Sequence, residues 1–322
     1  MTTPGILHPG VRDALATVHV DLERLRASVG SREVTADDPA DLRLRLAAAI
    51  YEVLHSGIGE QADVWPRRRG DAGLEERLRA NVPHERTLSR ARLVSREPGH
   101  TTVVVELDGV RLRVPAGDLV GRPAVRADQR VIVSHSAARP ALSPGFFLVD
   151  GSAGRPHNGP LLRLYVALED PDTAVPLWAE VLRALEAQAV PYQAKILSRS
   201  DGYPRRDGLV VYLGSEAHHA VDPVVGAARD RAGRGSGTSV FTEELAEGIA
   251  RAWEPSDERP AMRGLSFGQH RATAMAEGLF GHARAGARGS REEAVARAFI
   301  RASIDPTDPA RNLSPQTAAS PR

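Results

Sequence analysis

The chain has 322 residues, and its 42 Lys and Arg against 41 Asp and Glu leave a net charge of +1. That balance gives no bulk electrostatic attraction to nucleic acid or membrane. With no cysteine there are no disulfides, no thiolate nucleophile and no Cys-ligated metal.

The N-terminal stretch MTTPGILHPGVRD has no basic segment followed by an apolar run, so it does not read as a signal peptide. No apolar stretch approaches the ~20 residues of a membrane span. A cytoplasmic protein is expected. Residues 11–28 and 39–56 read as amphipathic helices, the second with Leu42, Leu46, Ile50, Val53 and Leu54 at helical spacing. Residues 60–72, with Arg67, Arg68 and Arg69, read as a solvated loop, and 74–81 as a short helix. The period then changes. TTVVVELDGVRLRV (101–114) predicts a β-hairpin turning at Asp108-Gly109, and RVIVSH (130–135) another strand. The Gly-, Pro- and Ser-rich stretch 141–159 is expected to join two halves.

A β-α-β-β pattern follows, with strands at 161–168, 191–197 and 208–213 and a helix at 173–189. Helices are expected at 214–232, in the second half of 236–254, and at 269–285 and 290–302. The Pro-rich tail is expected to be disordered. The fold class expected is α+β: a mixed or antiparallel sheet with a β-α-β-β core flanked by helices, and a smaller N-terminal helical and hairpin region. The expected divisions are 1–150, 151–302 and 303–322.

Among 42 basic residues one is a lysine, Lys195. Because it sits in Ala-Lys-Ile, the chain has no Walker A loop. GRGSGT (233–238) lacks the Walker lysine and reads as a flexible loop. There is no HExxH motif, and adjacent His218 and His219 point apart, so no metal site is expected. An ammonium can give up its proton where a guanidinium cannot, which makes Lys195 a candidate base or Schiff-base former. Alternation in 161–168 puts Leu162, Leu164, Val166 and Leu168 on one face, with Arg163 and Tyr165 on the other. In 191–197, Lys195 lies opposite Tyr192, Ala194 and Ile196. If the apolar faces meet one helix layer, then Arg163, Tyr165 and Lys195 share the opposite, open face. The alternative is an ordinary solvated β face.

Several segments, in order, resemble the HopA-type effector family: YEVLHSGIG (51–59), SPGFF (143–147), RLYVAL (163–168), VPYQAKIL (190–197), YPRRDGLVVYL (203–213), FTEELAEGIARAWEP (241–255) and GLSFGQHRATAMAEGLF (264–280). The resemblance covers roughly residues 40–310. It implies a phosphoserine/phosphothreonine lyase of ribosomal-peptide biosynthesis, such as that of class-five lanthipeptides and thioamitides. The implied partners are a precursor peptide and a separate phosphotransferase that phosphorylates it. Elimination of phosphate leaves dehydroalanine or dehydrobutyrine and requires no metal or organic cofactor.

The resemblance assigns Lys195 as the base that takes the α-proton. Nearby arginines are expected to favour its neutral form. Arg163, Arg205 and Arg271 are the expected phosphate ligands, with Tyr203 positioning phosphate or peptide. The general acid stays open between Tyr165 and His270. Related phosphothreonine lyases carry Lys-Phe-His on the comparable strand, where this chain has Arg163-Leu164-Tyr165. Ser239-Val240 also departs from a proline found near this point in relatives. Asp207 is expected to pair with a site arginine. The alternative function is a non-catalytic subunit that binds phosphopeptide or leader peptide within a kinase–lyase complex.

Overall fold

Pro9 occupies the first turn of helix α1 (Pro9–Leu15), where its missing N–H costs nothing. The helix expected over 11–28 stops there. Val18 and Val20, then Ala27 and Val29, alternate with polar residues and form strands instead. The computed structural model describes residues 6–58, 70–96, 101–107, 109–121, 128–139, 142–157, 159–233, 235 and 237–313. Arg67–Arg69, Asp108, two residues of the 233–238 loop and the last nine residues of the tail lie outside the described residues. Strands β1 (Val18–Asp21), β2 (Arg26–Val29) and β3 (Arg32–Thr35) make a three-stranded antiparallel sheet. Helix α2 (Pro39–Ile50) is capped by Asp38, which accepts from the N–H groups of Ala40 and Asp41. It continues into a π-helical turn, Tyr51–Ser56, closed by Gly57 at φ +69°. The left-handed backbone favours glycine there, and a side chain at this position would also have to displace that of Arg206.

Helix α3 (Ala72–Ala80) leads to β4 (Arg86–Arg96), β5 (Thr102–Leu107), β6 (Val110–Pro115) and β7 (Arg130–Ser136). These form a second sheet in the order β6-β5-β4-β7. Leu93, Val103, Val105, Val131 and Val133 form its small core.

The third sheet carries the site. Its strands are β8 (Phe146–Asp150), β9 (Leu162–Leu168), β10 (Tyr192–Leu197), β11 (Arg205–Leu213), β12 (Glu243–Ala246) and β13 (Ile249–Trp253). Their order is β12-β13-β9-β11-β10-β8, with every neighbouring pair antiparallel. Helix α4 (Pro171–Ala187), capped by Asp170, carries the chain from β9 to β10, and β11 inserts between them. Two expectations fail in this sheet. The stretch taken as a linker contains β8, whose residues Phe146–Asp150 are all buried. The helix expected in 236–254 is the β12–β13 hairpin, turned at Gly248 with φ +71°.

Helices cover both faces of the sheet. On one, Leu164, Val166, Ile196 and Val211 pack with Trp178 and Leu182 of α4 and with α5 (Val221–Ala228). α5 is shorter than the expected 214–232, because a 3₁₀ stretch, Ser215–Ala220, precedes it. On the other face, Tyr165 and Val210 pack with α2, the π turn, α6 (Phe267–Arg284) and α7 (Arg291–Arg301). This face is therefore not open as the alternation alone implied. Part of the expected disordered tail is folded too. Ile304 bridges Asn312, and Ala310 is buried.

Candidate functional site

β10 and β9 flank β11, and the register aligns Lys195 with Val210 and Val210 with Tyr165. One step along, Tyr212 pairs with Arg163 and Gln193. Lys195, Tyr212, Arg163 and Tyr165 thus share one face, as side-chain alternation requires. Helix α6 covers the Tyr165 end of that face. Beside α6 lies a cavity of about 710 Å³. Arg163, Lys195 and Tyr212 line it from the sheet, Tyr51 from the π turn, and Ser266 and Gln269 from the start of α6. Glu254, Asp257, Arg263 and the segment Ser143–Pro144 complete its wall.

Half-buried Lys195 holds its Nζ 4.6 Å above the centre of the Phe146 ring, a cation–π contact. Among the described residues, no hydrogen bond or ion pair engages this ammonium. Arg163 is almost fully buried. Its Nε and Nη2 both donate to Glu254, the latter at 2.7 Å, and its Cζ lies 4.9 Å over the Tyr212 ring. Burial works against the Arg163 charge. Tyr165, Tyr212 and Glu254 beside it outweigh that penalty and raise its pKa above the usual guanidinium range. The Ser266 hydroxyl caps α6 by accepting from the Gln269 N–H, and the Gln269 side chain accepts from the Ser266 N–H. The positive end of an 18-residue helix therefore opens on the cavity.

The other residues expected at the site are placed elsewhere. Arg205 is buried and forms a bidentate pair with Asp207, while also donating to the Tyr51 hydroxyl at 2.7 Å. Burial alone would raise the Asp207 carboxyl, yet the Arg205 charge and hydrogen bonds hold it well below the usual carboxylate range. Asp207 thus pairs with an arginine as expected, beneath the cavity rather than in its wall. Tyr51 is the link upward. Its hydroxyl donates to Asp207 at 3.2 Å, and burial pushes its pKa up to about 12.

Arg271 has no exposed surface. It donates to Pro309 O, Arg311 O and Asn312 Oδ1 at 3.0–3.2 Å, and its Cζ lies 4.5 Å over the Phe267 ring. It anchors the C-terminal segment and does not line the cavity. His270 is equally buried. Its Nδ1 accepts from Arg271 at 2.9 Å, and its Nε2 meets Asp257 at 3.1 Å. Burial, aided by the Arg271 charge, pushes its pKa down to about 4, so at neutral pH it is a neutral spacer between the two. Tyr165 packs edge-on against His55 at 5.4 Å and against Phe267 at 5.9 Å. Burial raises its phenol far above the ordinary range. Tyr203 donates its hydroxyl to Leu197 O at 2.7 Å and supports the turn before β11. Of the seven expected residues, Lys195 and Arg163 reach the cavity.

His55, next to Tyr165, bonds the Ser239 hydroxyl through Nδ1 at 2.9 Å, and burial lowers its pKa to about 4. Its ring packs on α6 at Gly268, where an added Cβ would lie 2.1 Å from it. Among the described residues, no cluster of three or more His, Cys, Asp and Glu is arranged to hold a metal, and no helix is long and apolar enough to cross a membrane.

The pattern of the HopA1 effector protein family matches residues 137–311, just over half the chain and all of the cavity lining except Tyr51. The chain belongs to that family. Two solved effector structures from Pseudomonas syringae resemble it. The one from pathovar tomato strain DC3000 has a TM-score of 0.47 and 12% identity, over 86% of this chain and 96% of that one. The one from pathovar syringae strain 61 has a TM-score of 0.44 and 16% identity, over 85% and 92%. No curated protein matches the chain.

Among the residues of this HopA1-family cavity that escape the sequence reading are Tyr51, Tyr212, Glu254, Asp257, Arg263 and Gln269. Alternation in GLVVYL is enough to find Tyr212, since it lies opposite Leu209, Val211 and Leu213. Nothing in the local pattern marks Tyr51, which the π turn aims at the cavity.

Proposed function

We propose that this protein is a phosphoserine/phosphothreonine lyase. It removes phosphate from a phosphorylated precursor peptide and leaves dehydroalanine or dehydrobutyrine. The observation that carries this reading is the chain's single lysine amine, unengaged by hydrogen bond or ion pair among the described residues, in the wall of a cavity beside a buried arginine. β-Elimination requires a base at the α-carbon and positive charge at the leaving phosphate. Lys195 is the base in this reading. Arg163, Arg263 and the start of α6 supply the positive field around the phosphate. Glu254 already pairs with Arg163 and offsets much of its charge, so Arg163 contributes chiefly through its fixed position. A separate phosphotransferase supplies the phosphorylated peptide, and the reaction takes place in the cytoplasm.

The test uses synthetic peptides carrying one phosphoserine or phosphothreonine. Released phosphate and the matching loss of peptide mass are followed for wild type, Lys195→Ala and Lys195→Arg. Elimination by wild type and its loss in both variants are expected. Full activity in Lys195→Arg would overturn the role of base, since a guanidinium supplies no free base. Tight phosphopeptide binding by wild type without phosphate release would favour the non-catalytic subunit.

A further inference from the structure

A base alone does not complete the elimination, because the bridging oxygen leaves more readily when it gains a proton. The two donors expected from the sequence are both withdrawn from the cavity. His270 is fully buried between Arg271 and Asp257, and Tyr165 is packed against His55 and Phe267. Two phenols do line the cavity, Tyr51 and Tyr212. The Tyr51 hydroxyl is committed, since it accepts from Arg205 and gives its proton to Asp207.

Tyr212 differs on each count. Among the described residues its hydroxyl has no hydrogen-bond partner. It lies on the strand between Lys195 and Arg163, on the same sheet face as both. In the register it stands directly opposite Arg163 and diagonally from Lys195. Diagonal neighbours on one face lie roughly 7–8 Å apart at the backbone, within reach of a long side chain and an aromatic one working on adjacent carbons. The Arg163 guanidinium lies 4.9 Å over the ring, a cation–π contact that fixes the phenol beside it. Glu254 grips that guanidinium at two points and keeps it there.

We propose that Tyr212 is the proton donor to the leaving phosphate, and that Arg163, clamped by Glu254, serves this phenol as well as the phosphate. The proposal rests on the lyase reading above. Lys195 Nζ takes the α-proton, and the C–H electron pair becomes the Cα=Cβ π bond. The Cβ–O bond breaks, and its pair goes to the bridging oxygen, which takes the Tyr212 proton. Inorganic phosphate and the dehydro residue are released. The enzyme keeps a lysine ammonium and a tyrosine phenolate, and solvent returns the proton from one to the other.

The experiment compares two leaving groups in one peptide sequence, phosphoserine and β-chloroalanine, since chloride departs without a proton. Tyr212→Phe keeps the ring that packs under Arg163. It should lower kcat for phosphate elimination by about 10²–10⁴-fold with little change in KM. Chloride elimination should stay within about threefold of wild type. An equal loss on both substrates would show that Tyr212 only shapes the cavity and would overturn the proposal, as would full activity on phosphoserine. If wild type eliminates neither group, the lyase reading falls and this assignment falls with it. If wild type works and Tyr212→Phe matches it, the assignment alone falls.

Discussion

The face of the six-stranded sheet under α4 and α5 presents Leu164, Val166, Ile196 and Val211, whereas the face toward α6 presents Arg163, Tyr165, Lys195 and Tyr212. The same strands supply both. The first face can be buried everywhere at no polar cost. The second is costly to bury unless each polar group finds a partner, and the buried Tyr165 hydroxyl has none among the described residues. Arg205 with Asp207 and Arg271 with the C-terminal carbonyls meet that condition and sink into the core. Lys195 and Tyr212 are left at the cavity. The contrast separates cations that hold the fold from those available to a substrate, a distinction invisible in residue type.

The largest expected effect tests the apolar face. Trp178 is fully buried and donates to Leu78 O at 3.2 Å, so Trp178→Ala should cost toward the upper end of ~3–5 kcal/mol, read by urea unfolding. On the polar face, Asp207→Ala strands a buried guanidinium. A loss of roughly 3 kcal/mol is expected there, a little softened because Tyr51 still accepts from Arg205. Acid should expose the same face. His55 and His270 titrate near 4 in the fold and near 6.5 when unfolded, so the unfolded chain takes up protons first. Stability is then full above pH 6.5 and falls as pH drops toward 4, by on the order of 3 kcal/mol for each histidine. Unfolding curves across that window should show it, and His270→Gln should flatten the slope. The smallest stability effect belongs to the cavity. Lys195→Ala removes one half-exposed cation–π contact and should cost about 0.5–1 kcal/mol, although turnover is expected to vanish. A Lys195→Ala loss comparable with that of Asp207→Ala would erase the distinction between the two kinds of cation.

Strand alternation reads much of this from sequence. It puts Arg163 and Tyr165 on one face, joined by Lys195 if the apolar faces share one helix layer, and the register through β11 meets that condition. Alternation does not tell how far a neighbouring helix reaches over that face. α6 buries Tyr165 and stops short of Lys195, a difference set by tertiary packing alone. The arginines of the YPRRD and SFGQHR segments are illegible for a similar reason. Arg205 pairs with Asp207 two residues on, as the segment allows, but what buries it and Arg271, Tyr51 and residues 309–312, lies some 40 to 150 positions away. The β12–β13 hairpin was hidden because TEELAEGIARAW carries good helix formers. Pairing with β9 through Ile249–Trp253 overrides that propensity.

The contact of His55 with Gly268 has a mechanical consequence. With no side chain on Gly268, the imidazole sits in a notch of α6, and no substituent fits between them. The fit seats α6 against the π turn, so a side chain at position 268 would have to push the two elements apart. Tyr51 and Gln269, carried on those two elements, both line the cavity, so its width on that side depends on the absence of a side chain at position 268.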